Sequence, residues 1–520
     1  MSTEPVAELP QGVSRLEEFE ESDNRPPFIL TSSELKLLGI AGVGFFLDAY
    51  DLFIINPVSL MLQWRLYDGK PLPAGPSGLL KAAANIGSVI GQFGFGYFAD
   101  ALGRKAVYGK ELMLIIFATI MCISDPTGDL SPEGSLIWLS IFRIVLGIGV
   151  GGDYPMSASV TSDRTKIRKR GTMLAYIFAN QGWGSLVGSV VTIVVLSIYK
   201  PVMNGEGHTS KVDGVWRIVI GLSLIPAFGT LYQRLTLPES KRYIASQKRP
   251  EDAEAFDRLK ETGDKEVKVV TKDDESNDTR TKEESDPEEI VRHKAQFSEF
   301  LKYFSKWRHA KLLIGTCSCW FFLDIAFYGI NLNQTVVLQQ IGFDGTKGTP
   351  WERMFKIGVG TLIITILGFV PGYYVTVLTI EKLGRKWIQI QGFLAAALFL
   401  GILAGKFHSL STVAFIINFT LLQFFFNFGA NSTTYIYPAE LFPTRYRAFA
   451  HGISAACGKF GAIISASAFS VLTNKVGTPA VLWIFFACCL AGAVCSLLLP
   501  EVRGRDPDIV LAQEIRDGLA

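Results

Sequence analysis

Two carboxylates, Asp48 and Asp51, interrupt an apolar run from about residue 37 to about residue 62, in the stretch GFFLDAYDLF. A third, Asp324, stands in FFLDIAFYG, where the FFLD of the first motif returns 276 residues later. A charge at the centre of a membrane-spanning helix costs about 2.5–3.5 kcal/mol on insertion scales, so a carboxylate held there calls for a function. Three residues apart, Asp48 and Asp51 share one flank of a helix and can face a bundle interior rather than lipid. Buried without a fixed counter-ion, they are candidates to take up and release a proton near neutrality. The plainer alternative is that one caps or hydrogen-bonds a neighbouring helix. Trp320, Asp324 and Tyr328 are four apart and form one helix face. A packed aromatic stripe would suit Trp320 but not Asp324.

The other chemistry-bearing residues form no catalytic or metal pattern. The five histidines are scattered and include no H-E-x-x-H, and the seven cysteines fall in apolar stretches without disulfide or zinc spacing. Cys317 and Cys319 make only a C-x-C pair, which reads as helix packing. GIGVGGDYP lies inside an apolar run and not after a strand, so it is not a dinucleotide fingerprint. Gly147 and Gly151 within it suit close helix approach instead. CGKFG around Lys459 lacks the upstream glycine and the Ser or Thr of a P-loop. No enzyme activity, cofactor, metal or nucleic-acid partner is expected.

The elements that must position these residues follow from composition. The chain has 520 residues, 49% hydrophobic and only 19% charged, where a soluble chain carries roughly a quarter charged. Runs of about 20 apolar residues span a bilayer. The pattern predicts an all-α polytopic membrane protein with twelve spans, at about 37–62, 79–99, 106–124, 135–160, 171–197, 214–235, 310–340, 355–379, 387–406, 410–437, 448–473 and 479–499. Five regions result: a disordered cytoplasmic tail over 1–36, a first six-helix half over 37–237, a cytoplasmic linker over 238–309, a second half over 310–500 and a cytoplasmic tail over 501–520. The linker, with TKDDESNDTRTKEESDPEEIVRHK, is expected to be largely disordered apart from short interfacial helices. Lys and Arg crowd alternate loops, RTKIRKR, EKLGRK and PTRYR among them, whereas SDPTGDLSPEGS has neither. The positive-inside rule then places both termini in the cytoplasm.

The chain also repeats itself. DALGRK at Asp100–Lys105 returns as EKLGRK at Glu381–Lys386, 281 residues on, and Tyr154-Pro155 as Tyr437-Pro438, 283 on. LPES at Leu237–Ser240 is echoed more loosely by LPEV at Leu499–Val502. Near-constant offsets argue for a duplicated six-span unit with a substrate site between the halves near the midplane. With GYFADALGRK this resembles the major facilitator superfamily. RIVLGIGVGGDYPMSASVTSD, together with FFLDAYDLF, YIYPAELFPTRYR and GKFGA, resembles the plant and fungal proton-coupled phosphate transporters, the fungal members in particular.

That resemblance implies a twelve-helix major facilitator fold and import of inorganic phosphate with protons by alternating access. It implies a phosphate site of Tyr154, Gln181, Trp320, Asp324, Tyr328, Asn431 and Lys459. Proton coupling falls to Asp48, Asp51, Arg143 and Asp153, with Arg143 opening an R-x-x-x-G pattern and Asp153 working with Asp48. Arg143 and Asp153, ten residues apart on one helix and hence about 15 Å, should not pair with each other. Asp100, Arg104, Glu440 and Arg445 are expected to form a cytoplasmic charge lock. The expected partners are phosphate, protons and the bilayer, the working unit is a monomer, and the location is the plasma membrane. A sugar or organic-ion symporter of the same superfamily and a non-transporting nutrient sensor remain as alternatives. A channel would need a repeated filter loop, which the sequence lacks.

Overall fold

The computed structural model describes residues 25–205, 211–238, 297–343 and 348–516. The central hydrophilic stretch, expected to be largely disordered, lies mostly outside the described residues, as does most of the N-terminal tail. Twelve long helical segments carry the described fold. The first half holds span one (Ser32–Tyr67), span two (Ala74–Leu102), span three (Arg104–Ile123), span four (Pro132–Arg164), span five (Arg170–Gly205) and span six (Val212–Leu235). The second holds span seven (Trp307–Asn331), span eight (Pro350–Leu383), span nine (Arg385–Lys406), span ten (Thr412–Leu441), span eleven (Arg447–Val476) and span twelve (Thr478–Leu498).

Eleven of these are long and apolar enough to cross a membrane. Span two has the length but not the apolarity, and its burial explains why. Its Ser77, Asn85, Ser88 and Gln92 are all turned inward against other helices and not toward lipid. The close packing expected of Gly147 and Gly151 is present: a Cβ on Gly147 would meet the Ala84 carbonyl at 2.0 Å, and one on Gly151 the Ser88 carbonyl at 2.2 Å. Spans two and four therefore touch backbone to backbone.

Local signals set the helix ends. Thr31 and Glu34 form a capping box that starts span one at Ser32, five residues before the apolar run. Ser131 caps span four with Pro132 at its first position, and Thr349, Pro350 and Glu352 start span eight in the same way. Gly103 and Gly384, at matching places in the repeated loop, hold φ of 98° and 84° with ψ near 154° and 165°, a region open essentially to glycine alone.

Several spans are broken where the sequence suggested continuity. Span one is interrupted at Ile54, and span ten at Phe428–Gly429. Span seven ends at Asn331 and resumes as Gln334–Gln340, and span eight carries a π-helical turn at Thr365–Phe369 just before Pro371. Two short helices flank the bundle: Phe297–Ser305, whose Phe300 and Phe304 pack on Phe442 and Ala450, and Pro507–Arg516. Span two lies against spans four and eleven, span eleven against span seven, and span five against spans one and eight, so the seam between halves runs through the centre of the bundle.

Candidate functional site

At that seam stands Lys459 of span eleven. Its Nζ donates to the Tyr328 hydroxyl at 2.6 Å and lies 3.4 Å from Asp324 Oδ2, both on span seven. The same ammonium sits 4.0 Å from the Tyr328 ring centroid and 5.1 Å from that of Tyr154, which comes from the other half. From Tyr154 a hydrogen-bonded chain runs on. Gln181 Nε2 donates to the Tyr154 hydroxyl at 2.8 Å, the Tyr373 hydroxyl donates to Gln181 Oε1 at 3.1 Å, and Asn431 Nδ2 donates to Tyr373 at 2.8 Å. Asn431 Nδ2 also reaches Asn427 Oδ1 at 2.8 Å. Trp320 closes one side, its ring 6.3 Å from that of Tyr154 and 5.5 Å from His451. Every one of these side chains is buried. The arrangement links one cation, one carboxylate and several neutral donors in a continuous buried network, with contributions from six helices.

A second cluster lies within the first half. Arg234 of span six forms a two-point ion pair with Asp153 of span four, at 2.9 and 3.3 Å, and reaches Glu111 of span three at 3.1 Å. It also donates to the Ile40 carbonyl of span one and stacks 4.9 Å over the Tyr108 ring. Ser157 donates to Asp153 Oδ1 at 2.7 Å. Gly44 makes room for this: a Cβ there would meet Asp153 Oδ2 at 1.7 Å. Asp48 is one turn further along span one, fully buried, with no hydrogen bond to either carboxylate oxygen. Asp51 is buried near Arg143 and Ser223, and Arg143 Nη1 donates to the Asp51 backbone carbonyl at 3.0 Å. Arg143 and Asp153 are not an ion pair, in keeping with their separation along span four.

The third cluster ties the halves together at the end of the bundle where the repeated GRK loops lie. Arg104 pairs with Asp100 at 3.3 Å and with Asp163 at 3.4 Å, and donates to the Thr444 carbonyl across the seam. Asp163 in turn holds Arg447 of the second half at 2.5 Å, and Asp100 accepts from the Phe449 amide at 2.8 Å. Glu440 and Arg445 do not pair with each other. Glu440 takes Arg385 at 2.6 Å, beside its i,i+4 partner Glu381, while Arg445 binds Glu299 of the short flanking helix. Glu381 also accepts from the Thr172 amide across the seam.

Residues 37–508 match the family described as "Sugar (and other) transporter". The chain belongs to that family. A Schizosaccharomyces pombe relative, provisionally named an inorganic phosphate transporter, is 46% identical over 92% of this chain and 88% of its own length. The "Inorganic phosphate transporter PHO84" of Saccharomyces cerevisiae is 37% identical over 90% of this chain and 83% of its own. The "Repressible high-affinity phosphate permease" of Neurospora crassa is 39% identical, over 90% and 85%. Among solved structures, the major facilitator proton:xylose symporter XylE aligns with a TM-score of 0.69 over 93% of this chain and 100% of its own, at 19% identity. The fold is that of the major facilitator superfamily, and members of this family move solutes and do not transform them.

All seven residues expected at a phosphate site come together in the first cluster. Asp48 and Asp153 both face the second, while Asp51 and Arg143 stand apart from it. Sequence reasoning missed Arg234, which holds Asp153 and Glu111 together, Tyr373, which links Gln181 to Asn431, and Asp163, Arg385 and Arg447 in the seam. The only signal for Tyr373 is its place in PGYYVT of a broken span. For Arg385 it is the repeat itself, since Arg385 matches Arg104.

Proposed function

We propose that this transporter imports inorganic phosphate in symport with protons, by alternating access of a site between its halves. The observation that carries this reading is the contact of Lys459 with both Asp324 and Tyr328, continued through Tyr154 to Gln181. Dihydrogen phosphate brings negative charge, oxygen acceptors and P–OH donors together. Lys459 offsets the charge, the hydroxyls of Tyr154 and Tyr328 and the amides of Gln181 and Asn431 donate to oxygens, and ionised Asp324 accepts from a P–OH group. Phosphate entering between Lys459 and Asp324 separates an existing pair and satisfies both partners, so neither buried charge is left alone. A neutral sugar would leave Lys459 and Asp324 to each other, which disfavours the sugar reading.

Protons travel with phosphate because the first half holds a fully buried carboxylate, Asp48, with no hydrogen-bond or ion-pair partner among the described residues. Asp48 is one turn from the Asp153–Arg234–Glu111 cluster and belongs to the span that lines the seam, so its protonation can change as the halves move. Asp51 and Arg143 serve the same half nearer the opposite face. The ion pairs of Asp100, Arg104 and Glu440 hold the cytoplasmic end closed, with Arg445 fixing the flanking helix, and they must open for release. Both termini face the cytoplasm, the bilayer is the plasma membrane, and one chain is the working unit.

Reconstituted vesicles test the reading. Labelled phosphate should accumulate when the outside is made acidic relative to the lumen and should not accumulate when that gradient is collapsed. Gradient-independent equilibration alone would remove the symport claim, and failure to move phosphate at all would remove the substrate.

A further inference from the structure

The opposite end of the seam holds a lysine that none of this explains. Lys81 lies seven residues inside span two, about 10 Å along the helix from Ala74, and is only 4% exposed. Its Nζ donates to Asn333 Oδ1 at 2.8 Å, across the seam, at the break between Asn331 and Gln334 of the second half. No carboxylate pairs with it among the described residues. An ammonium buried with only an amide oxygen for company is expensive to keep, and such residues in a membrane protein mark ion paths.

Around that break two groups able to donate to an anion, Gln334 Nε2 and Thr335 Oγ1, stand beside one unpaired acceptor, Asn56 Oδ1. Asn331, Gln334 and Thr335 line a cavity of about 40 Å³ together with Asn56, Ser185, Ser189 and other residues. Gln334 Nε2, Thr335 Oγ1 and Asn56 Oδ1 are buried there without a hydrogen-bond partner, and Gln334 and Thr335 are both more than nine-tenths buried. That volume has room for a few water molecules. Asn56 Nδ2 reaches the Asn331 carbonyl at 2.7 Å, so span one also closes on the break in span seven at this end of the seam.

We infer that Lys81, with the amides and hydroxyls of the span-seven break, forms a capture site for an incoming tetrahedral oxyanion on the non-cytoplasmic face, distinct from the Lys459 site. The inference rests on the phosphate-import reading. When this end opens, Asn333 withdraws with the second half and Lys81 is left as an unpaired cation in a polar vestibule. Phosphate that reaches it is held by charge and by Gln334 and Thr335. Closure returns Asn333 to Lys81 and drives the anion inward to Lys459, whose pairing with Asp324 opens to receive it.

A capture site acts on the association step, so the readout is initial uptake of labelled phosphate at concentrations far below saturation, in proteoliposomes at low and at physiological ionic strength. Uptake by the unaltered protein should fall as salt rises, because steering by an unpaired charge is screened. Lys81→Met should lower low-salt uptake by about tenfold and remove the salt dependence, while Lys81→Arg retains both. Asn333→Ala removes the latch but leaves the cation, so it should keep the salt dependence. Salt-independent uptake by the unaltered protein overturns the inference without any variant. Equal losses in Lys81→Met and Asn333→Ala, with unchanged salt dependence, overturn it in favour of a latch alone. Absence of phosphate uptake by the unaltered protein overturns the transport reading and this inference with it.

Discussion

Asp48 and Asp324 occupy matching positions in two copies of one motif, both fully sequestered from solvent, yet their surroundings differ. Asp324 has a lysine 3.4 Å away. Asp48 has no hydrogen-bond partner for either oxygen. On the proposed reading the residues facing these two matching carboxylates make Asp324 a ligand and Asp48 a carrier. A carboxylate beside a fixed ammonium has a partner that a substrate can separate from it. A carboxylate without one must be neutralised by something mobile, and the proton is the available candidate. The proposed division of labour therefore has the second half bind and the first half couple, with the Tyr154 ring of the first half 5.1 Å from the Lys459 ammonium of the second.

The division can be broken most severely at Lys459. Lys459→Ala removes the anion's counter-charge and also leaves Asp324 buried alone, a loss of about 3–5 kcal/mol for such pairs. Phosphate binding, measured at equilibrium in detergent, should weaken by at least about a hundredfold. The double variant Lys459→Ala with Asp324→Asn should regain thermal stability in detergent without regaining binding. Regained binding would mean that the lysine serves only to hold Asp324.

Arg234 is the corresponding test in the first half. Arg234→Gln strips the cation from Asp153 and Glu111 together, so the melting temperature should fall by several degrees and gradient-driven uptake should be lost. Unchanged stability would indicate that the two carboxylates are already neutral.

Selectivity sharpens the comparison further. At neutral pH phosphate and arsenate carry O–H donors and sulfate carries none, so an ionised Asp324 beside sulfate faces only acceptors. Sites built around a substrate's hydrogen bond can reject analogues lacking it by 10⁴–10⁵, roughly 5–7 kcal/mol. Arsenate should compete well against labelled phosphate, and sulfate should not. Asp324→Asn should weaken phosphate and narrow that gap, since the amide can donate to any anion. Equal competition by sulfate and arsenate in the unaltered protein would defeat the proposed role of Asp324.

The spans were legible because apolar runs are local, and the repeated GRK loops mark the duplication. The caps Thr31, Ser131 and Thr349 are equally local but went unread, so the apolar runs alone begin spans one, four and eight a few residues late. The Lys459 cluster was legible through resemblance, with Asp324 and its neighbours also visible as one helix face. What escaped is long-range pairing. Arg234 meets Asp153 81 residues away, and Arg447 meets Asp163 284 residues away, on helices whose packing no spacing reveals. Arg234 stands at a span end where basic residues are common for reasons of topology, which hides its burial. Span two is legible at about 79–99 even though its buried Asn85 and Gln92 lower its apolarity just where it is most enclosed.

The account's central claim is that Asp48 couples and does not bind, and Asp48→Asn tests it most directly. The amide keeps the shape of the side chain and removes the exchangeable proton. In proteoliposomes, Asp48→Asn is predicted to exchange labelled for unlabelled phosphate across the bilayer while failing to concentrate phosphate under an imposed inward acid gradient. Concentrative uptake by Asp48→Asn under that gradient would contradict the claim.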